Sequence, residues 1–182
     1  RDRHHDPHPA KFRMLFDAID GRPNTKGGAY RLEMLPTTCH VYFGEVCLAS
    51  ADGRGEGQPV SEGISPVQGA DRHGPTAVLK SASKMDHVKT GGTLLNMKFT
   101  PSLLEGEAGI DNLHSLVRSY FKLDGHHMQF NLVTADLLRE AKADPASHRD
   151  LIVRVAGYSD YFCDLSEALQ DEIIRRTEHT AF

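Results

Sequence analysis

The stretch VRVAGYSDYF, residues 153–162, decides how the second half of this chain is read. Apolar residues alternate through LIVRVA and stop at Gly157, an aromatic and polar segment follows, and a helical pattern begins a few residues later. A strand that ends on glycine is, in the first instance, a turn. Just upstream, HHMQFNLV alternates, with His127, Gln129 and Asn131 on one face and Met128, Phe130 and Leu132 on the other. That pattern predicts a strand with a polar face. Between the two strands TADLLREAKAD predicts a helix closed by Pro145. Downstream, DLSEALQDEIIRRTEH predicts a final helix buried through Leu165, Leu169, Ile173 and Ile174. Asp164 and Glu167 suit a capping box, and Arg175, Arg176 and His179 suit its negative end. Strand–helix–strand–helix order predicts an α/β fold with the HMQFNLV and LIVRVA strands as neighbours.

Further from that centre the pattern weakens. Ile110, Leu113, Val117, Tyr120 and Phe121 recur at helical spacing and predict a helix over residues 108–123. TAVLKSASKM fits a short helix or a strand equally well. Residues 51–75 hold six glycines and three prolines and read as a loop, long enough to be functional or disordered. RLEMLPTTCHVYF predicts a strand interrupted at Pro36, and the first thirty residues predict one short helix, residues 12–19, between loops.

Composition bounds the function. With 182 residues, 39% of them hydrophobic, the chain can form one domain with a real core. A net charge of −4 and a pI near 6.3 argue against a nucleic-acid partner, and no apolar run has the length of a membrane span. Arg1 opens no signal-peptide pattern, and the missing initial Met predicts a piece of a longer chain. Three cysteines at non-motif spacing predict free thiols and a reducing, cytoplasmic setting.

Side-chain chemistry finds little support. HHDPHP reads as a solvated terminal loop rather than a metal site, and His126 and His127 as structural hydrogen-bonding residues. Cys39 and Cys47 lack a second pair, so no metal is expected. KTGGTLLN lacks the spacing of a phosphate loop, Asp52-Gly53 is explained as a turn, and no nucleophile elbow is present. The chemical centre is expected to be something other than a side chain.

IVRVAGYSDYF followed by LQDEIIRRTEH resembles the C-terminal signature of the glycyl radical enzymes, the relatives of pyruvate formate-lyase. ADGRGEGQPVSEGISP, GPTAVLKSASKMDHVKTGGTLLNMKF and YFKLDGHHMQFNLV resemble stretches that precede the radical loop in that family, in the expected order from about Arg31 onward. The resemblance implies the C-terminal portion of a β/α barrel, with the radical glycine on a loop between a strand and the final helix. It implies a barrel end over residues 1–50 and a glycine radical domain over residues 51–182. Gly157 would store a radical on its α-carbon, where no Cβ opposes a planar centre. A radical S-adenosylmethionine activating enzyme would install it, recognising Arg154, Val155, Ala156, Tyr158 and Ser159, and no cofactor would be bound.

The family's thiyl cysteine lies upstream in a Cys-x-Glu motif, and none of Cys39, Cys47 or Cys163 is followed by such a glutamate. Thr37, Thr38 and Cys39 are the residues that the resemblance places near substrate, with Cys39 on a strand, whereas Cys163 is expected to be a small packed residue. The implied partners are the activating enzyme, the upstream portion of the same enzyme and a second copy in a homodimer, with neither nucleic acid nor membrane. AGYSDYF and SEGISPVQG look like the dehydratase and decarboxylase branch, which favours the end of a complete lyase over a stand-alone radical carrier that repairs a damaged enzyme. LPTTCHVYFG and GGTLLNMKFTPSLL resemble the branch of hydroxyproline and diol dehydratases, isethionate sulfite-lyase, choline trimethylamine-lyase and arylacetate decarboxylases. Elimination by carbon–oxygen, carbon–nitrogen or carbon–sulfur cleavage is the leading expectation, and decarboxylation the alternative. FGEVCLASADGRGEG departs from the family's commoner pattern and leaves the subgroup open. A non-enzymatic α/β binding domain is the reading from a different class.

Overall fold

A computed structural model describes residues 7–182. Its centre is a three-stranded parallel sheet in the order β2–β1–β5, with β1 at Asn96–Phe99, β2 at Gln129–Leu132 and β5 at Glu178–His179. Every residue of β1 is buried, as expected of the middle strand of a covered parallel sheet. The long helix α4, Gly106–Lys122, makes the crossover from β1 to β2. With α3, Gly74–Ala82, it encloses an apolar core around Val78, Leu79, Leu95, Phe99, Leu116 and Tyr120. Removing each such side chain from water contributes about 1.5–3 kcal/mol. The chain leaves α4 by a turn in which Gly125 lies flat on the Tyr120 ring, where a Cβ would fall 2.4 Å from Cε1.

A second apolar core lies on the other side. Helix α5, Ala135–Ala143, the hairpin of β3, Ile152–Arg154, and β4, Ser159–Tyr161, and helix α6, Glu167–Arg175, enclose Leu138, Ala141, Val153, Val155, Phe162, Leu169 and Ile173. Thr134 caps α5, its Oγ1 accepting the Leu137 amide at 3.1 Å, while the Ala135 amide donates to Glu178 of β5 at 2.7 Å.

The structure revises four expectations. The predicted strand in RLEMLPTTCHVYF is instead helix α2, Cys39–Glu45, preceded by a single bridge from Met34 to Thr93. Its buried residues are His40 and Gly44, four apart, so the period is helical; Gly44 packs where a Cβ would meet Gln58 O at 2.3 Å. The HMQFNLV and LIVRVA strands are not ladder neighbours, because β2 pairs with β1 and β3 folds back on β4. The capping box does not form: Asp164 belongs to a 3-10 turn, Phe162–Asp164, and Ser166 stands at the N-cap without a side-chain bond. Helix α1 runs over Pro7–Ile19, so the terminal loop reading fails from Pro7 onward, and residues 4–6 of the histidine stretch lie outside the described residues. The ambiguous TAVLKSASKM segment lies mostly in helix α3.

Candidate functional site

Residues 153–162 form a closed hairpin. Its ladder pairs Ile152 with Tyr161, Val153 with Asp160 and Arg154 with Ser159, and the Val155 amide donates to Tyr158 O at 2.9 Å. Ala156 and Gly157 are left at the tip, and Gly157 has φ +83°, the value that the second central residue of a type II turn requires. Any L-residue would be strained there, and a Cβ would also fall 3.1 Å from Leu94 Cδ1. The turn therefore demands glycine before any chemistry is considered.

Arg154 spans the tip from below. Its Nη2 donates to Gly157 O at 3.1 Å, its Nη1 to Ser159 Oγ at 3.3 Å, and its Nε to Gln129 Oε1. A guanidinium on the Gly157 carbonyl favours electron density moving onto that oxygen from the neighbouring α-carbon. Gly157 itself is exposed, whereas Val155 and Ala156 are fully buried and Tyr158 is half-buried. Burial, with the Asp160 carboxylate, pushes the Tyr158 phenol up and keeps it neutral.

Beneath the hairpin runs a buried polar layer. The Arg154 amide donates to Asn131 Oδ1 at 2.7 Å, and Asn131 Nδ2 returns a bond to Arg154 O at 2.8 Å. Asn96 Nδ2 donates to Val155 O at 3.1 Å, and Arg176 Nη1 to Arg154 O at 3.3 Å. Arg176 also clasps Glu172, with Nη2 at 2.7 Å from Oε2 and Nε at 3.0 Å from Oε1. Glu172 accepts from Gln68 Nε2 at 2.7 Å, and His40 Nε2 faces it at 3.4 Å. Burial alone would raise the Glu172 carboxyl, but Arg176 beside it and the facing His40 hold it well below the usual carboxylate range. Behind Asn96, burial pushes the Glu62 carboxyl up to about 7, although Ser65 donates to it at 3.0 Å. Lys98 is buried, its Nζ donating to Ile174 O at 3.0 Å, and burial brings its amine down to about 8.

The segment from Arg154 to Ser159 is thus brought together on one turn. Thr37, Thr38 and Cys39 join it only indirectly: Thr37 O contacts His40 Nδ1 at 3.1 Å, and His40 reaches the Glu172–Arg176 pair that holds Arg154 O. Cys39 is the exposed first residue of α2, not a strand residue, and Thr37 has φ 51°. Cys163 packs against the second core, as a small packed residue should. His127 accepts from the Leu95 amide at 3.4 Å and lies 2.7 Å from Gln129 Nε2, in keeping with a structural role. Among the described residues, no group of side chains is arranged to hold a metal, and no helix is long and apolar enough to cross a membrane. Asn96, Glu62, Glu172 and His40 are site residues that pattern reading did not single out, and Arg176 was read only as helix-end charge. The available signal was Asn96 itself, an amide inside the apolar run TLLNMKF.

Residues 60–163 match a family model described as glycine radical. The chain is 59% identical over 169 residues to trans-4-hydroxy-L-proline dehydratase of Clostridioides difficile, covering 93% of this chain and 21% of that protein. It is 47% identical over 148 residues to isethionate sulfite-lyase of Desulfovibrio desulfuricans, covering 80% of this chain and 18% of the relative. Superposition on the crystal structure of the Clostridioides difficile hydroxyproline dehydratase with trans-4-hydroxy-L-proline bound gives a TM-score of 0.91 at 58% identity, over 94% of this chain and 22% of that one.

Proposed function

The chain belongs to the glycyl radical enzymes, and from that premise we propose that Gly157 is the glycine that stores the radical. One observation carries the assignment: an exposed glycine α-carbon at φ +83°, at the tip of a closed hairpin, with the Arg154 guanidinium on its carbonyl. A carbon-centred radical supplied by a radical S-adenosylmethionine activating enzyme takes one hydrogen atom from that α-carbon. One unpaired electron remains, shared between the flanking amide nitrogen and carbonyl. Arg154, Val155, Ala156, Tyr158 and Ser159 form the segment that the activating enzyme recognises. Val155 and Ala156 are fully buried, so reading them requires the hairpin to leave its seat.

In this reading the stored radical passes to a cysteine on a Cys-x-Glu loop of an upstream portion, and the resulting thiyl attacks substrate. The chain spans 18–22% of the length of the relatives it matches, which supports a missing upstream part. So does an apolar face around α2, where Tyr42, Val46 and Leu48 are 63%, 73% and 73% exposed. The residues up to 50 belong to the end of a barrel and the remainder to the radical domain. The completed enzyme is a cytoplasmic lyase and a homodimer. Identity of 59% to a hydroxyproline dehydratase, against 47% to a sulfite-lyase, supports carbon–oxygen cleavage that eliminates water from a small hydroxylated substrate.

Anaerobic activation of the completed polypeptide, followed by electron paramagnetic resonance, tests the radical assignment. A doublet is expected from the wild type and none from Gly157→Ala; a doublet that survives the substitution would refute it. Incubation with trans-4-hydroxy-L-proline, glycerol, isethionate and an arylacetate then tests the substrate class. Water loss from the hydroxylated amino acid is expected, and release of carbon dioxide or sulfite instead would overturn the dehydratase reading.

A further inference from the structure

Two carboxyls, Glu172 and Glu62, are buried in the polar layer beneath the hairpin. Glu172 is engaged by Arg176, Gln68 and the facing His40, whereas Glu62 is engaged on one side only. Its Oε2 accepts from Ser65 Oγ at 3.0 Å, but Oε1 is buried with no partner among the described residues. Asn96 Oδ1 is buried in the same condition. The Asn96 carboxamide lies against the Glu62 carboxyl, and both line one cavity of about 20 Å³. The orientation of that carboxamide is fixed, because Nδ2 donates at 3.1 Å to Val155 O, which can only accept. Two acceptor-only oxygens buried together would each stay unsatisfied, a cost that native structures avoid. The surrounding charges do not remove it. Arg176 favours the charged form of Glu62 but is bound to Glu172, and Glu172 opposes that form with like charge. Asp71 and Lys98 line the same cavity and are engaged elsewhere, Asp71 with His179 at 3.2 Å and Lys98 with Ile174 O.

One proton satisfies both oxygens. We propose that Glu62 is held as a neutral carboxylic acid whose Oε1–H donates to Asn96 Oδ1, and that it is thereby the positioning residue that aims Asn96 at the Val155 carbonyl. Ser65 Oγ accepts from the Asn96 amide at 2.9 Å and donates to Glu62 Oε2, so the acid holds Asn96 by its backbone as well as its side chain. Burial already lifts the Glu62 carboxyl to about 7, and an acceptor facing its proton favours the neutral form further. A carboxylate in that place would present Oε1 as an acceptor. The amide would then have to turn Nδ2 toward it and away from Val155 O. Val155 stands two residues before Gly157, so the protonation of one buried acid is coupled to the geometry of the turn.

Infrared spectra of the completed, unactivated polypeptide test this directly. At pH 6 the wild-type spectrum minus that of Glu62→Gln should contain the carbonyl stretch of a protonated carboxylic acid. The band should titrate away near or above pH 7, which makes Glu62 about 300-fold weaker as an acid than an ordinary glutamate at 4.5. Asn96→Leu removes the acceptor and should move the band to higher frequency. Glu62→Gln keeps both roles, its amide donating to Asn96 Oδ1 and its carbonyl accepting from Ser65, so it should fold as the wild type does. Absence of the acid band at pH 6, as for an ionised Glu62 bridged to Asn96 by water, would overturn the proposal. So would a band that Asn96→Leu leaves in place, or a Glu62→Gln variant that fails to fold. The effect on the turn rests on Gly157 being the radical glycine and is read as turnover per spin after activation. The ratio of Glu62→Gln to wild type should be near one where the band is full. Where the band has titrated away it should rise about fivefold, the order of one lost hydrogen bond; a constant ratio would overturn the positioning role. A wild type that never gives a doublet defeats the radical assignment instead, and the infrared result stands apart from that outcome.

Discussion

Replacing Arg176 by Met should destabilise the polar layer beneath the hairpin, with an effect large enough to measure. Arg176 is the only guanidinium on Glu172 among the described residues, and the two side chains are 10% and 0% exposed. Removing one partner of such a pair leaves an uncompensated buried charge, which costs about 3–5 kcal/mol. Gln68 and His40 still face the carboxylate, at 2.7 Å and 3.4 Å, so the lower end of that range, about 3 kcal/mol, is expected. With a urea dependence of about 2 kcal/mol per molar, the midpoint should fall by about 1.5 M near pH 7.5. The pH trend has a definite sign. In the wild type the Glu172 carboxyl is depressed, so its contribution is present above the ordinary carboxylate range and lost as pH falls through it. In the variant, burial without Arg176 raises that carboxyl, and its penalty is relieved as pH falls. Both trends narrow the gap, so the two midpoints should converge toward pH 4. A midpoint change below about 0.5 M at pH 7.5, or a gap that widens in acid, would refute the reading of the pair as an anchor of this polar layer.

The amine of Lys98 is brought from 10.5 down to about 8, so the folded state binds fewer protons than the unfolded chain between those values. Wild-type stability should therefore rise with pH across that window, and Lys98→Met should flatten the rise in urea titrations at pH 8 and 10; equal slopes would contradict the buried-amine reading. Air admitted after anaerobic activation should cut the chain at Gly157, giving a new terminus that mass spectrometry can locate. An intact chain that has lost its doublet would count against a radical stored on that α-carbon.

Sequence patterning identified the elements whose period is carried by apolar side chains. Helix α4 shows Leu116 and Tyr120 four apart, and β2 forms inside the alternating HHMQFNLV segment, but there Asn131 is buried and Leu132 is exposed, the reverse of what the apolar face suggested. It failed at α2, where the residues turned inward are a histidine and a glycine, neither of which registers as apolar. It failed again at strand pairing, because HMQFNLV and LIVRVA are adjacent in space without sharing a ladder. The polar face of His127, Gln129 and Asn131 was visible in the sequence, but not that Asn131 would dock on the backbone of Arg154. Arg176 looked like helix-end charge and Glu172 drew no reading, since only the fold brings His40 and Gln68 onto that carboxylate. Gly157 was legible because its surroundings resemble a family signature; composition alone would have left it a turn.

The turn and the proposed radical make compatible demands on Gly157. A positive φ excludes a side chain for steric reasons, and a planar radical centre excludes it for electronic ones. Arg154 then does three things at once: its guanidinium polarises the Gly157 carbonyl, ties the tip to Ser159 and reaches Gln129 on the sheet, while its backbone is read by Asn131. Its guanidinium bonds to Gly157 and Ser159 lie within the hairpin, whereas its guanidinium bond to Gln129 and its backbone bonds to Asn131 join the hairpin to the sheet. That division of bonds around a single arginine suits the proposed radical: one set of partners bears on the Gly157 carbonyl, and a second set seats the turn against the sheet.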